Sequence, residues 1–521
     1  MAGLTPQQRS VLEQRLLSRS ARPAQVEKSH QPLPLSFSQE SLWFLDRLLP
    51  RSPLYTIPQA FRLRGFLNRE TLQSALSDVL HRHDALRTRF LVSGTQPVQE
   101  ARASVPFSLP FIDLGDLSAE QRQEESRRIL EREATTGFDL SSDVLLRALL
   151  VRCGPEEHLF IVNIHHIISD HWSLGILFEE ISVLYDAFLH QRKSPLTPLP
   201  VQFPDLAAFQ RKKLEQSAFS GQLDYWVRQL SGKPAPLELP LDFSRPKHQT
   251  YQGARRLVHL SSTLGSALKE LGQKCEASLF MVLLAVFKTL LHRYSHQDDI
   301  IVGAPMGGRD HPGSEKLIGF FVNTLPLRTD LSGDPPFTAL LRRVREVALA
   351  AYSHQKVPLE KLVESLHLPR DSGRHPLCPV IFQFLPGPSP MPQFSGLAVE
   401  AVPMETGTSK FDLTFTLFQC ADGLSGDIEF NTDIFQGATI DRLISHFITL
   451  AGAIAAHPEE VISKLPLTGA AERQQLIADW NQTETNYPRE QTVHRLFEEQ
   501  ARALLPRWPS SRTNERSATA N

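Results

Sequence analysis

Between Leu159 and Ser173 the chain runs Leu-Phe-Ile-Val-Asn-Ile-His-His-Ile-Ile-Ser-Asp-His-Trp-Ser, and this stretch constrains what can be built around it. The apolar run predicts a buried strand, His158 to Ile164, ending on two histidines. An aspartate lies four residues beyond the second histidine, and a helical pattern begins near Trp172 and continues as Leu174 to Leu189. Successive strand residues face opposite sides, so His165 and His166 cannot both look into one cavity. One can sit in a reaction channel while the other packs in its wall. Asp170 is placed to pin the turn, by accepting backbone N–H groups or by pairing with a distant cation. Opposite-facing histidines chelate one ion poorly and no third ligand lies close by, so no metal is expected.

The rest of the sequence reads as a mixed α/β protein. Helices are expected over Gln39–Leu49, Asn68–His81 (Asn68 as N-cap), Ser118–Ala134, Thr263–Gln273, Ser278–Tyr294, Pro336–His354 and Ala438–Ala456, with a long helical region at Phe203–Leu230. Strands are expected over Thr56–Leu63, Arg87–Leu91, Phe107–Leu114, Leu145–Val151, Gly253–Leu260, Asp299–Ala304, Phe321–Leu327, Cys378–Phe384, Lys410–Gln419 and Leu424–Asn431. The proline-rich stretch Ser194–Pro204 marks a lobe boundary, and Leu385–Gln393 suits an extended crossover or lid. Gly307, Gly308 and Gly313 form a loop without a phosphate-binding pattern and read as turn geometry. A terminal helix is expected over Thr5–Leu17.

Composition narrows the function classes. With 521 residues the chain is long enough for more than one core. The balance of 55 basic and 57 acidic residues leaves no electrostatic footprint for nucleic acid. The cysteines (Cys153, Cys275, Cys378, Cys420) are far apart, as in a reduced cytoplasmic protein. No signal-peptide pattern opens the chain, and Leu279–Leu291 is too short to cross a bilayer and contains Lys288, so no membrane partner is expected.

Six stretches in order, the histidine run among them, carry a resemblance. The histidine run looks like the HHxxxDG signature of the condensation domains of nonribosomal peptide synthetases. Ser36–Leu45 resembles SxAQxRLWxL, Arg82–Phe90 resembles RHExLRTxF, and Ile318–Leu325 matches GxFVNT. His354–Glu360 resembles HQDYPFE and Arg370–Leu377 resembles RDxSRNPL. Phe203–Phe209 loosely echoes YxDFAVW. The resemblance implies two lobes, each similar to chloramphenicol acetyltransferase, arranged as a V around a central tunnel. It divides the chain into an N-terminal helix and linker (1–33), an N-terminal lobe (34–197), a C-terminal lobe with crossover segments (198–465), and a linker with the start of an adenylation-like region (466–500). The remainder, 501–521, lacks periodicity and is expected to be a disordered tail left by a truncation or frameshift.

The activity so implied is amide formation between a donor acyl or peptidyl thioester and the α-amine of an acceptor aminoacyl thioester. Donor and acceptor carrier proteins are the expected partners and bring the 4'-phosphopantetheine arms. The chain itself is expected to hold no cofactor and to be a monomer, with an adenylation domain as a further partner. His166 falls on the family's catalytic position, as general base or as a group that positions the amine. Asp170 is expected to be structural, paired with Arg82 or Arg87, and His165 to support the site. Asn323, His171, Trp172 and Ser173 are expected at the tunnel; an asparagine holding a strand end is an equal reading of Asn323. Three departures stand out: His171 replaces a glycine, Ser41 an arginine and Lys356 an aspartate. The patterns look more like the class joining L-configured residues than the epimerisation class, with a fatty-acyl donor left open. Alternatives are an acyltransferase that uses acyl-coenzyme A and a noncatalytic docking platform for tailoring enzymes.

Overall fold

The computed structural model describes residues 31–215, 220–232, 235–368, 372–486 and 489–504. The expected helix at Thr5–Leu17, residues 505–521 of the expected disordered tail, and Arg370 and Asp371 lie outside these residues, while residues 501–504 of that tail are instead the end of a helix, Val493–Leu504. The chain divides into two compact units, one ending at Leu467 and one beginning at Thr468.

In the first unit, α1 (Phe37–Leu48) starts with a capping box: Ser36 takes the Gln39 N–H and the Gln39 side chain takes that of Ser36. After it come β1 (Thr56–Arg64) and α2 (Arg69–Arg82), whose first turn is capped by Asn68 Oδ1 on Thr71 N at 3.0 Å. Then come β2 (Thr88–Ser93), β3 (Gln96–Ala101), β4 (Phe111–Asp113), α3 (Ala119–Thr135), β5 (Leu146–Gly154), β6 (Glu157–His165) and α4 (His171–Leu189). Within the region expected to be helical, the described residues form α5 (Phe203–Glu215) and α6 (Ser220–Gln229).

The second half contains β7 (Gly253–Ser261), α7 (Ser262–Lys274), α8 (Leu279–Ser295), β8 (Asp299–Gly307), β9 (Val322–Asp330), α9 (Phe337–Ser353), α10 (Leu359–Leu366) and β10 (Val380–Leu385). It continues through β11 (Ala398–Val402), β12 (Leu413–Cys420), β13 (Gly423–Asn431) and α11 (Gly437–Ala456). The apolar character of α11 would suffice for a membrane span, but Ile440, Leu443, Phe447, Leu450 and Ile454 are buried against the C-terminal core.

Both large sheets are mixed. The C-terminal one has six strands in the order β9-β8-β10-β12-β13-β7, with β10 parallel to both neighbours. The N-terminal one has five, in the order β11-β1-β6-β5-β4. Its edge strand β11 comes from the second half of the sequence and pairs antiparallel with β1, Val399 opposite Leu63. Phe394, Leu317, Ile318 and Phe321 likewise sit in the N-terminal core. A division at residue 197 therefore describes the sequence but not the packing: the second half returns to close the first sheet. β11 is mostly exposed, with one half-buried valine on each side of Glu400 and Ala401, so it lacks an apolar signal.

Candidate active site

The site grows from the end of β6. That strand is central in its sheet, between β1 and β5, and all but its first residue are buried. Its last residue, His165, pairs with Thr56, and the chain then turns through one 3-10 turn, His166–Ile168, before α4 begins. The adjacent histidines have opposite tautomers. His165 Nδ1 accepts the Ile167 N–H at 3.0 Å, so its proton sits on Nε2. Its ring is buried against Phe138 and Tyr55. His166 Nδ1 lies 2.8 Å from the Ser169 carbonyl, which can only accept, so Nδ1 carries the proton and Nε2 the lone pair. The half-buried His166 ring meets the edge of Phe320 at 5.0 Å and Tyr55 at 6.5 Å, at the junction of the two lobes.

Both imidazoles are held neutral. Burial, then the charges of His166 and Lys410, push His165 down to about 3. Burial, then Lys410, push His166 down to about 4, against the opposing pull of Asp170.

Asp170 is the N-cap of α4 and is buried. Its Oδ1 accepts from Ser173 N at 2.7 Å and from the Arg309 guanidinium at 2.9 Å; its Oδ2 accepts from Phe321 N at 3.2 Å. The expected pairing with Arg82 or Arg87 is therefore corrected: the partner is Arg309, from the glycine-containing loop whose pattern suggests only turn geometry. Arg82 instead holds Glu180 in the middle of α4 at 2.9 Å, alongside His83 at 2.8 Å. Arg87 is turned away, bonding Asp84 and the Leu80 and His81 carbonyls. Arg309 also donates to the Ser314 and Leu317 carbonyls, both at 2.7 Å, and lies 4.0 Å from the centre of the Phe321 ring. Nothing local marks Arg309; the cue was the buried carboxylate, which needed a cation from somewhere.

Ser173 is a latch rather than a tunnel group. Its hydroxyl donates to Gly319 O at 2.8 Å and accepts from Gly319 N and Arg309. Asn323 holds a strand end: its amide donates to the Gln355 and Val357 carbonyls and its oxygen accepts from Leu359 N. Trp172 is half exposed and donates to Glu315 O at 3.0 Å, bracing the Arg309 loop. His171 opens α4 without a left-handed backbone, so replacing the family's glycine brings no strain there. Gln39, from the first motif, is fully buried and donates to Ile167 O at 3.1 Å, tying α1 to the histidine turn. Ser41, at the position of the missing arginine, lies by Glu360, whose Oε2 is buried without a partner and whose carboxyl is pushed up by burial, with Ser41 opposing. Among the described residues no three His, Cys, Asp or Glu side chains converge to hold a metal.

Comparisons with known proteins agree with this frame. A family model described as condensation domain matches residues 29–477. One linear gramicidin synthase chain of Brevibacillus parabrevis is 45% identical over 471 residues, covering 90% of this chain and 9% of that protein. Malpibaldin synthetase of Mortierella alpina is 39% identical, covering 90% of this chain and 8% of the relative. The chain thus spans about a tenth of the length of these curated relatives. Among solved structures, the complex of the X-domain and OxyB from teicoplanin biosynthesis superimposes with a TM-score of 0.77 at 27% identity, covering 86% of this chain and 99% of the matched one. The first condensation domain of the calcium-dependent antibiotic synthetase, in complex with a substrate analogue, gives 0.71 at 22% identity, covering 84% of this chain and all of the other, a likeness of fold. A match that runs through both lobes and the turn between β6 and α4 places the chain in the condensation domain family.

Proposed function

We propose that this chain joins a donor acyl or peptidyl thioester to the α-amine of an acceptor aminoacyl thioester, both delivered on the phosphopantetheine arms of partner carrier proteins. The amine nitrogen forms a C–N bond to the donor carbonyl carbon, the C–S bond breaks, and the thiolate leaves and takes up the proton shed by nitrogen. The observation that carries this reading is the His166 tautomer: Nδ1 is committed to Ser169, which leaves the Nε2 lone pair for an N–H at the junction.

His166 acts mainly by accepting that N–H and aiming the amine. An imidazole pushed down to about 4 is a poor acceptor for a proton from an ammonium near ~8, a transfer uphill by roughly four powers of ten. Orientation does not need that transfer. In single-turnover assays with loaded carrier proteins, His166→Ala is expected to lose ~10²–10⁴-fold in rate, the range of a positioned acid–base or orienting group. The wild-type rate should show no inflection from His166 near pH ~6.5, where an ordinary imidazole titrates. Wild-type activity in His166→Ala would overturn the proposal.

A docking platform is the second reading, favoured by the similarity to an X-domain solved together with OxyB. Carrier proteins that bind this chain but are never condensed would decide for it.

A further inference from the structure

Lys410 is a charged side chain near the histidine turn that neither the reaction above nor the Asp170–Arg309 pair uses. Its segment, Ser409-Lys410-Phe411-Asp412, leads into β12 and is held firmly. Ser409 N donates to Tyr251 O at 2.9 Å, Gln249 donates to Lys410 O at 3.1 Å, and Arg245 grips the Asp412 carboxylate with bonds of 2.8 and 2.6 Å. The C-terminal lobe thereby presents a half-buried ammonium to the N-terminal one. Lys410 Nζ lies 4.9 Å from the centre of the Tyr55 ring, which itself stands 6.4 and 6.5 Å from the His165 and His166 rings. Among the described residues no carboxylate pairs with this ammonium and no acceptor takes a hydrogen bond from it. The carboxylate that acts on it from a distance, Glu429, is already paired with Arg255 at 2.9 Å.

Burial lowers the ammonium's own pKa, with Glu429 opposing and Arg255 adding to the fall; while it holds its proton, it is a positive charge beside the histidine turn with little to offset it. The groups that face His166 are Asp170 and His165 from its own turn, Tyr55 from the residues before β1, the uncharged Phe320, and Lys410. Tyr55 contributes no charge, because burial, then Tyr251 and Glu360, push its ionisation up. Asp170, the one anion in the set, is spent on Arg309. A charge that disfavours a proton on His166 also disfavours, by an amount that depends on distance, a proton on a group hydrogen-bonded to His166, ~3 Å away.

We propose that Lys410 is a positioning residue that keeps the acceptor amine unprotonated at the junction, by denying a second positive charge beside His166. The inference rests on the condensation reading above. A free α-amine near ~8 is only about a tenth neutral at pH 7, and a like charge that lowers it by about one unit makes roughly half of it neutral. The nucleophile is thereby selected by repulsion, without a strong base.

The test uses the full chain as wild type, Lys410→Met and Lys410→Arg, with urea midpoints to confirm folding. In the unloaded protein, the titration midpoint of isotopically labelled His166 is read by NMR. It should rise by about one pH unit in Lys410→Met and stay in place in Lys410→Arg. In single-turnover condensation with loaded carrier proteins, Lys410→Met should run up to about tenfold slower near pH 6.5 and converge with wild type near pH 9, while Lys410→Arg follows wild type. An unmoved His166 midpoint, or a loss equal at every pH, overturns the proposal. The NMR measurement needs no turnover, which separates the two failures. A moved midpoint in a protein that condenses nothing defeats the condensation reading and with it the amine's part. Condensation by Lys410→Met that matches wild type at every pH defeats the role of Lys410 alone.

Discussion

The two lobes bury polar groups in opposite ways. In the N-terminal lobe they gather where β6 ends and α4 begins: Gln39, Thr56, His83, His165, Ser169, Asp170, Ser173 and Glu180 are all buried there or along α4. In the C-terminal lobe, among the described residues, the buried charged side chains include Asp412, gripped by Arg245, and Lys288, which is fully buried inside the core on α8. Lys288 donates to the Ile300 and Leu327 carbonyls and the Thr329 hydroxyl of the lobe's sheet, and makes no hydrogen bond to a residue of the histidine turn. What that lobe offers the site comes from loops and strand approaches: Arg309, Gly319, Phe320 and Lys410. The N-terminal core thus runs straight into the chemistry, whereas the C-terminal core is insulated from it and reaches across by extensions. A site built this way should fail through the extensions and ignore the insulated core.

The sharpest way to break the comparison is Arg309→Met. It leaves Asp170 buried without its cation, a loss of about 3–5 kcal/mol for a pair of this kind. It also frees the turn that aims His166, and a misplacement of ~1 Å costs ~10²-fold in rate. Urea unfolding and single-turnover condensation read the two effects. The pair is coupled, so Asp170→Asn combined with Arg309→Met should recover part of the lost stability, though not the rate. Additive losses in the double variant would mean that the two side chains do not act as a unit.

Gly319 tests the next extension. A Cβ there would stand 2.2 Å from a ring carbon of Phe203, while the backbone on either side is fixed by the Ser173 hydroxyl. Gly319→Ala is expected to cost about 1–3 kcal/mol in urea stability through overpacking, with a smaller rate loss than Arg309→Met. An alanine variant as stable as wild type would show that α5 yields at this contact.

The strand, the histidine pair, the turn and the helix were legible because they are local: a buried apolar run, then polar residues at fixed spacing, then helical periodicity. Asn68 was readable as a cap for the same reason. What was not legible is the pairing of distant residues. Asp170 needs a cation, but the family resemblance pointed to Arg82 and Arg87, and the choice of Arg309 goes with the hydrogen bonds that Phe321 N and Gly319 make to Asp170 and Ser173 at the start of α4. β11 was hidden because an exposed edge strand has no apolar alternation to announce it, and α10 because it is two turns long. The tautomers of His165 and His166 are set by one backbone N–H and one carbonyl within the turn, which only coordinates reveal.

Lys288 gives the smallest effect on the site and the cleanest check on insulation. Burial pushes its ammonium down to about 7, with Asp299 and Cys378 opposing. In the unfolded chain it titrates near ~10.4, so between those values the unfolded state holds the proton and the folded state releases it. Stability then rises with pH, because the unfolded state binds more protons. Below about pH 7 both states are protonated and the slope vanishes. Lys288→Met removes the group and with it the slope. Urea midpoints at pH 6.5 and 9.5 should therefore show wild type gaining on the variant as pH rises, while the variant's condensation rate at pH 7 stays within about twofold of wild type, the spread expected of an independent site. A parallel pair of stability curves would remove the buried titration. A large loss of condensation in a stably folded Lys288→Met would be worse for the comparison, since the C-terminal core would then reach His166 through the sheet rather than through its loops.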